Sequence, residues 1–239
     1  MSFPVITIDG PSGAGKGTIC LRLAQALNYR LLDSGALYRI VGLKANQAGL
    51  LSDQPSAESE LSAKDEDKIT QLVNHLDIQF IPRQSGEVDI IVDGISVAGE
   101  IRNETVGSYA SIVAALPKVR EALLQLQQNM ANHSGLIADG RDMGTVVFPD
   151  ADAKVYLTAS AEARADRRVT QLEQAGQKAN YLAILKSIQQ RDERDENRSV
   201  SPSKPHEEAL VLDSSEMNAD EVYFKIKAFC QTKGICFDQ

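Results

Sequence analysis

The β-branched run Val5-Ile6-Thr7-Ile8 breaks into Asp9-Gly10-Pro11-Ser12-Gly13-Ala14-Gly15-Lys16-Gly17-Thr18 and passes straight into the helical pattern Ile19 to Leu27. Strand, glycine-rich loop and helix in direct succession form the context that a phosphate-binding loop needs. Gly10, Gly13 and Gly15 let the backbone curl until successive N–H groups face one anion. The start of the following helix adds the positive end of its dipole. Lys16 supplies a mobile charge for the outer phosphates, and Thr18 a hydroxyl for the loop or for Mg²⁺. A glycine-rich turn with a chance lysine would need neither the strand before it nor the helix after it.

Size and composition narrow what surrounds this loop. With 239 residues and 43% hydrophobic content, the chain suits a single domain over 1–239, with room for a small insert. A net charge of −8 argues against a broad electrostatic grip on nucleic acid. Cys20, Cys230 and Cys236 show no ligand or redox spacing, which fits a reducing cytoplasm. His75, His133 and His206 lie far apart and read as surface or loop residues rather than metal ligands. No signal-peptide pattern appears, and no apolar run reaches ~18 residues, so no membrane span is expected. A monomer is the default expectation.

Along the chain, Tyr29 to Asp33 reads as a second strand, Ser34-Gly35 as its break, and Ala36 to Gly49 as a helix. Leu50 to Lys64 is polar and reads as a solvated connection, followed by a helix over Asp65 to Asn74. The period then changes to two, with Asp93-Gly94 as a hairpin signal, so residues 76–98 read as a three-strand antiparallel meander. Ala115 to Met130 is helical with Pro117 in its first turn, and Leu136 to Asp139 and Ala153 to Leu157 are strands. Helices over Ala161 to Gln174 and Asn180 to Asn197, a strand at Leu210 to Asp213, and a final helix to about Thr232 capped by Asn218 or Asp220 complete the pattern. The expected architecture is α/β: a five-stranded parallel sheet of P-loop NTPase type with helices on both faces, plus a small antiparallel insert and a helical lid. Asp33, Asp139 and Asp213 fall at strand C-ends, where sites in such sheets lie; Asp213 reads as structural.

Phosphoryl transfer asks a protein for positioning and positive charge, and a phosphorylated acceptor asks for arginines beyond the loop lysine. Of thirteen arginines, Arg164, Arg167, Arg168, Arg191, Arg194 and Arg198 crowd into residues 164 to 198. Two helices joined around Gly176 with arginines on both would form a basic lid that excludes water. The competing reading is a solvated surface laced with ion pairs, for which acidic partners are present. Arg39 and Arg141 lie near strand C-ends, and Arg141-Asp142 offers both hydrogen-bonding senses to a base edge.

The GKGT ending of the loop, LLDSGALYR (31–39), GEIRN (99–103), PKVREALL (117–124), IADGRDMGTVVFPDADAKVYL (137–157) and QQRDERDENRSV (189–200) together resemble bacterial cytidylate kinases, nearly end to end. The resemblance implies ATP-dependent phosphorylation of CMP and dCMP with Mg²⁺. It implies that Gly10, Pro11, Ser12, Gly13, Ala14, Gly15, Lys16, Gly17 and Thr18 hold the ATP phosphates, aided by Arg167 and Arg168 from a lid at 160–180. It assigns Ser34, Arg39, Ser111, Arg120 and Asp142 to CMP, Arg191 and Asp195 to its sugar, and Arg141 and Arg198 to the phosphates. Lys16, Arg141 and Arg198 would be the catalytic cations. Mg²⁺ would meet Thr18, directly or through water, with Asp33 or Asp139 behind it. Residues 65–102 resemble the monophosphate-binding insert of the family. Lys118 stands where an arginine is more usual. An adenylate or shikimate kinase would share the loop but lack the insert and the GRD segment, and a regulator that only binds ATP would not need arginines for a second phosphate.

Overall fold

A computed structural model describes residues 3–52, 61–83, 88–132, 134–198 and 201–237. The elements begin with β1 (Val5–Asp9), α1 (Lys16–Leu27), β2 (Arg30–Asp33), α2 (Ser34–Gln47) and α3 (Ala63–Asn74). Then come β3 (Ile78–Pro82), β4 (Val88–Val92), β5 (Ile95–Ser96), α4 (Glu104–Val113) and α5 (Pro117–Met130). β6 (Leu136–Gly140), β7 (Ala153–Thr158), α6 (Ala161–Gln174), α7 (Tyr181–Glu196), β8 (Leu210–Asp213) and α8 (Ala219–Thr232) follow. The five-stranded parallel sheet runs β2-β6-β1-β7-β8, with helices on both faces, and β3-β4-β5 form a separate antiparallel sheet. The expected fold class is the one observed. By internal contacts the chain divides into two compact units, one of residues 1–29 with 134–239 and one of 30–133.

In the first unit β1 lies between β6 and β7, in register from Val5↔Leu136 to Asp9↔Gly140 on one side and from Ile6↔Ala153 to Asp9↔Tyr156 on the other. A strand covered on both edges and both faces reads as a continuous apolar run, and all five residues of β1 are buried. Ile6, Ile8, Leu23, Leu136 and Ile137 form the centre of this core. The cap of α8 is settled in favour of Asn218: its side chain accepts from the amides of Asp220 and Glu221, and Glu221 returns a bond to the Asn218 amide. Asp220 instead pairs with Arg22 at 2.8 Å.

The second unit corrects two sequence boundaries and adds a helix. Ser34-Gly35 does not break the chain but begins α2, because Asp33 caps it by accepting from the Ala36 amide at 2.9 Å. The helix expected from Ala115 starts at Pro117, since Leu116 before the proline is extended. α4 was not anticipated, although Val106, Tyr109, Ala110 and Val113 are buried at helical spacing and Asn103 caps it. The meander is present, and Asp93 and Gly94 both adopt left-handed backbone angles, as the tight hairpin turn demands. Within the polar stretch 50–64, residues 53–60 lie outside the described residues, and Ser62 caps α3.

Candidate active site

The loop after β1 owes its path to contact as well as to torsion. A Cβ on Gly10, at φ +136°, would lie 2.0 Å from the carbonyl oxygen of Leu157 on β7. Gly15 caps α1 in the left-handed region and offers no side chain, and no acidic residue occupies the first turn of α1. The leading amides of α1 are therefore left to an outside anion. Lys16 is buried; its ammonium donates to the Pro11 carbonyl at 3.0 Å and stands 3.7 Å from Asp139 at the end of β6. Thr18 and Gly17 are exposed, and a Cβ on Gly17 would sit 3.8 Å from an Asp139 carboxylate oxygen.

Beyond Asp139 the chain carries Arg141 and Asp142 and then winds one π-helical turn over Met143–Val147. Such turns are rare and concentrate at functional sites. Asp9 anchors this one: its two carboxylate oxygens accept from the amides of Met143 and Gly144, each at 2.8 Å. Burial pushes the Asp9 carboxyl up to about 7, against the opposing pull of those two amides; Asp142 adds to the rise and Lys16 opposes it. Asp142 is buried beside it.

The Arg141 Nε donates to Asp195 on α7 at 2.9 Å. Burial lowers the Arg141 guanidinium's proton affinity, but Asp195, Asp139 and Asp9 more than reverse this, so it stays firmly charged. Burial likewise raises the Asp195 carboxyl, yet Arg141, Arg198 and Arg191 outweigh it and hold it below its ordinary range. Arg198 stands 3.6 Å from the second Asp195 oxygen, and its Nη2 is buried with no hydrogen-bond partner among the described residues. Arg191 and Arg168 are half-buried on α7 and α6. Arg167 is engaged with Ser214, whose hydroxyl donates to the Ala14 carbonyl at 3.2 Å and to Thr158 at 3.0 Å.

Ser214 and Asp9 were given no role by the sequence reading, and Arg164 was read only as one of the clustered lid arginines, without its bonds to the loop and α7. Arg164 is only 4% exposed and bonds the loop carbonyl of Ser12 and the carboxylate of Asp192. A signal was available: Arg164 and Ala165 share the buried face of α6, where an arginine must have partners.

The second unit carries Ser34, Arg39, Ser111 and Arg120. Ser34 is buried at the start of α2. Arg39 donates to the carbonyls of Ile101 at 2.7 Å and Asn103 at 3.0 Å, and a Cβ on Gly107 would meet its guanidinium at 3.1 Å. The Ser111 hydroxyl bonds the Gly107 carbonyl at 3.1 Å, and Arg120 lies 5.8 Å from the ring of Tyr38. Lys118 pairs with Asp67 at 2.5 Å.

Among the described residues no cluster of three or more His, Cys, Asp or Glu could hold a metal, and no helix is long and apolar enough to cross a membrane.

A phosphate loop at the C-end of the central parallel strand makes this a P-loop nucleotide-binding protein. Residues 6–232 match the family model for cytidylate kinase. Cytidylate kinase 1 of Haemophilus influenzae is 52% identical over 233 residues, covering 98% of this chain and 96% of that protein. The cytidylate kinase of Actinobacillus succinogenes is 51% identical over 230 residues, covering 96% and 99%. Among solved structures, an uncharacterized protein from Eubacterium ventriosum shares the fold with a TM-score of 0.50 at 11% identity, over 96% of this chain and 99% of that one. The chain belongs to the cytidylate kinase family and is a nucleoside monophosphate kinase, with ATP as the phosphoryl donor that the family implies.

Proposed function

We propose that the enzyme transfers the γ-phosphoryl group of ATP to CMP and dCMP. A phosphate oxygen of the acceptor forms the new bond to the γ-phosphorus, the bond to the β-γ bridging oxygen breaks, and ADP leaves with CDP or dCDP as the other product. The observation that carries this reading is the pair of guanidiniums, Arg141 and Arg198, sharing the Asp195 carboxylate in the unit that also bears Lys16. A kinase of an unphosphorylated acceptor needs Lys16 but has less use for two further cations. The orphaned Nη2 of Arg198 is a donor that a phosphate oxygen would satisfy.

In this reading the backbone from Gly10 to Thr18 cradles the donor phosphates, and Lys16 offsets charge that grows as the bridge bond breaks. Arg168 and Arg167 act from α6; Arg167 would exchange a Ser214 contact to do so. Asp142, Ser111 and Arg120 read the base, with Ser34 and Arg39 beside the acceptor phosphate. Arg191 and Asp195 receive the sugar. Mg²⁺, when bound, would supply positive charge to offset that of the phosphates. The Thr18 hydroxyl and the Asp139 carboxylate, hard oxygens flanking Gly17, fit it. Asp33 is committed to capping α2, which leaves Asp139 as the better outer contact.

Steady-state ADP release with MgATP and each of CMP, dCMP, UMP, AMP and shikimate tests the reading. Turnover with CMP and dCMP above the rest is expected; turnover with AMP or shikimate instead would discard the base-site roles. Asp142→Ala is expected to raise KM for CMP more than for ATP, and equal rises would remove Asp142 from base reading.

A further inference from the structure

Arg164 joins three segments through one guanidinium. Its Nε donates to the carbonyls of Ala159 at 2.9 Å and Ser160 at 3.2 Å, where β7 gives way to α6. Its Nη1 is shared between the Ser12 carbonyl at 3.1 Å and one oxygen of Asp192 at 3.0 Å, while Nη2 takes the other Asp192 oxygen at 2.5 Å. Its aliphatic stem lies 3.4 Å from where a Gly13 Cβ would be, so the loop rests on the stem as well as on the charge.

The geometry has a directional consequence. In a trans peptide the carbonyl and the next N–H point to opposite sides. Holding the Ser12 carbonyl toward Arg164 therefore turns the Gly13 N–H the other way, to the side on which the loop amides meet an anion. The other end of the same fork grips α7 at Asp192, next to Arg191 and one turn before Asp195. A planar guanidinium cannot follow Ser12 without loosening Asp192, and in a buried site each unmet N–H is costly.

We infer that Arg164 is a positioning residue that links the P-loop to α7, so that filling the donor phosphate site and seating the acceptor-facing side chains of α7 are one coupled event. This rests on the proposed assignment of the loop to ATP and of Arg191, Asp195 and Arg198 to the acceptor nucleotide. The hydrogen bonds of Arg164 run to protein groups, so it acts through Ser12 and Asp192. The linkage makes each nucleotide bind better when the other is present, by the same factor in both directions.

Two measurements on the intact protein, Arg164→Lys and Asp192→Asn decide it. Hydrogen–deuterium exchange over 188–196 is followed with and without a saturating non-hydrolysable imido analogue of MgATP. The analogue is expected to slow exchange there several-fold in the parent protein and less than about twofold in both variants. Calorimetry of CMP with and without the analogue is expected to show tenfold-order tightening in the parent that falls below about twofold in the variants. Asp192→Asn, which keeps the shape of the side chain, carries the test if Arg164→Lys does not fold. The inference is overturned if the analogue leaves α7 exchange unchanged in the parent, or if the variants keep full coupling and lose only melting temperature. Failure of CMP and dCMP to bind would instead overturn the acceptor reading, while the exchange of α7 would still decide the linkage.

Discussion

Lys16 is held in the mouth of its loop by the Pro11 carbonyl and the Asp139 carboxylate, so its charge is placed before any nucleotide arrives. In the proposed role, removing it would cost a contact that strengthens as the phosphoryl group transfers. Lys16→Ala is expected to lower kcat by a hundredfold or more, about 3 kcal/mol of barrier, in steady-state ADP release. An unchanged kcat would end the role given to it. Gly10 is constrained differently, by the Leu157 carbonyl and a left-handed φ. Gly10→Ala is expected to lower stability by at least about 2 kcal/mol, read as a fall in the urea midpoint. The loop was legible in the sequence because its residues are consecutive. The contacts that Arg164, Ser214 and Asp9 make were not, because their partners lie 152, 200 and 134 residues away along the chain.

At the scale of elements, patterns with local causes were the readable ones. The capping box of α8 is written into Asn218 and Glu221 three residues apart, and Asn218→Ala is expected to cost about 1 kcal/mol in thermal unfolding. The hairpin at Asp93-Gly94 was equally plain, since two successive left-handed residues leave few other choices. α4 escaped notice because its apolar residues lie in a short run between two motifs, and its helical period has less than three turns in which to declare itself. Ser34-Gly35 misled for a related reason. A serine and a glycine after a strand suggest a turn, but an aspartate just before them makes them the first turn of a helix.

Stability of the whole molecule against pH is set in part by two carboxyl groups with opposite shifts. Asp195 is held below its ordinary range, so its stabilising effect is present above about pH 4 and is lost as pH falls through its folded value. Asp9 is raised to about 7, so the native state holds a proton that the unfolded state gives up near 4. Its burial therefore lowers stability progressively as pH rises from about 4 to 7, by up to a few kcal/mol in order of magnitude. Asp9→Asn is expected to flatten that decline. The test is the slope of the urea midpoint between pH 4.5 and 7 (about half a unit above and at the two values above), not the absolute stability, which the altered bonds to Met143 and Gly144 also change. An identical slope in the variant would show that other groups set it.

The register of β1 also bears on how the protein comes into being. Both of its neighbours, β6 and β7, are translated only after the whole of residues 30–133. The intervening unit is contiguous and can assemble from nearby contacts, whereas β1 must stay unpaired on the growing chain until more than a hundred further residues have been added. An apolar strand waiting with bare edges is an aggregation hazard. The strand that leads into the glycine-rich loop is thus also one that would gain from a chaperone's shelter during synthesis.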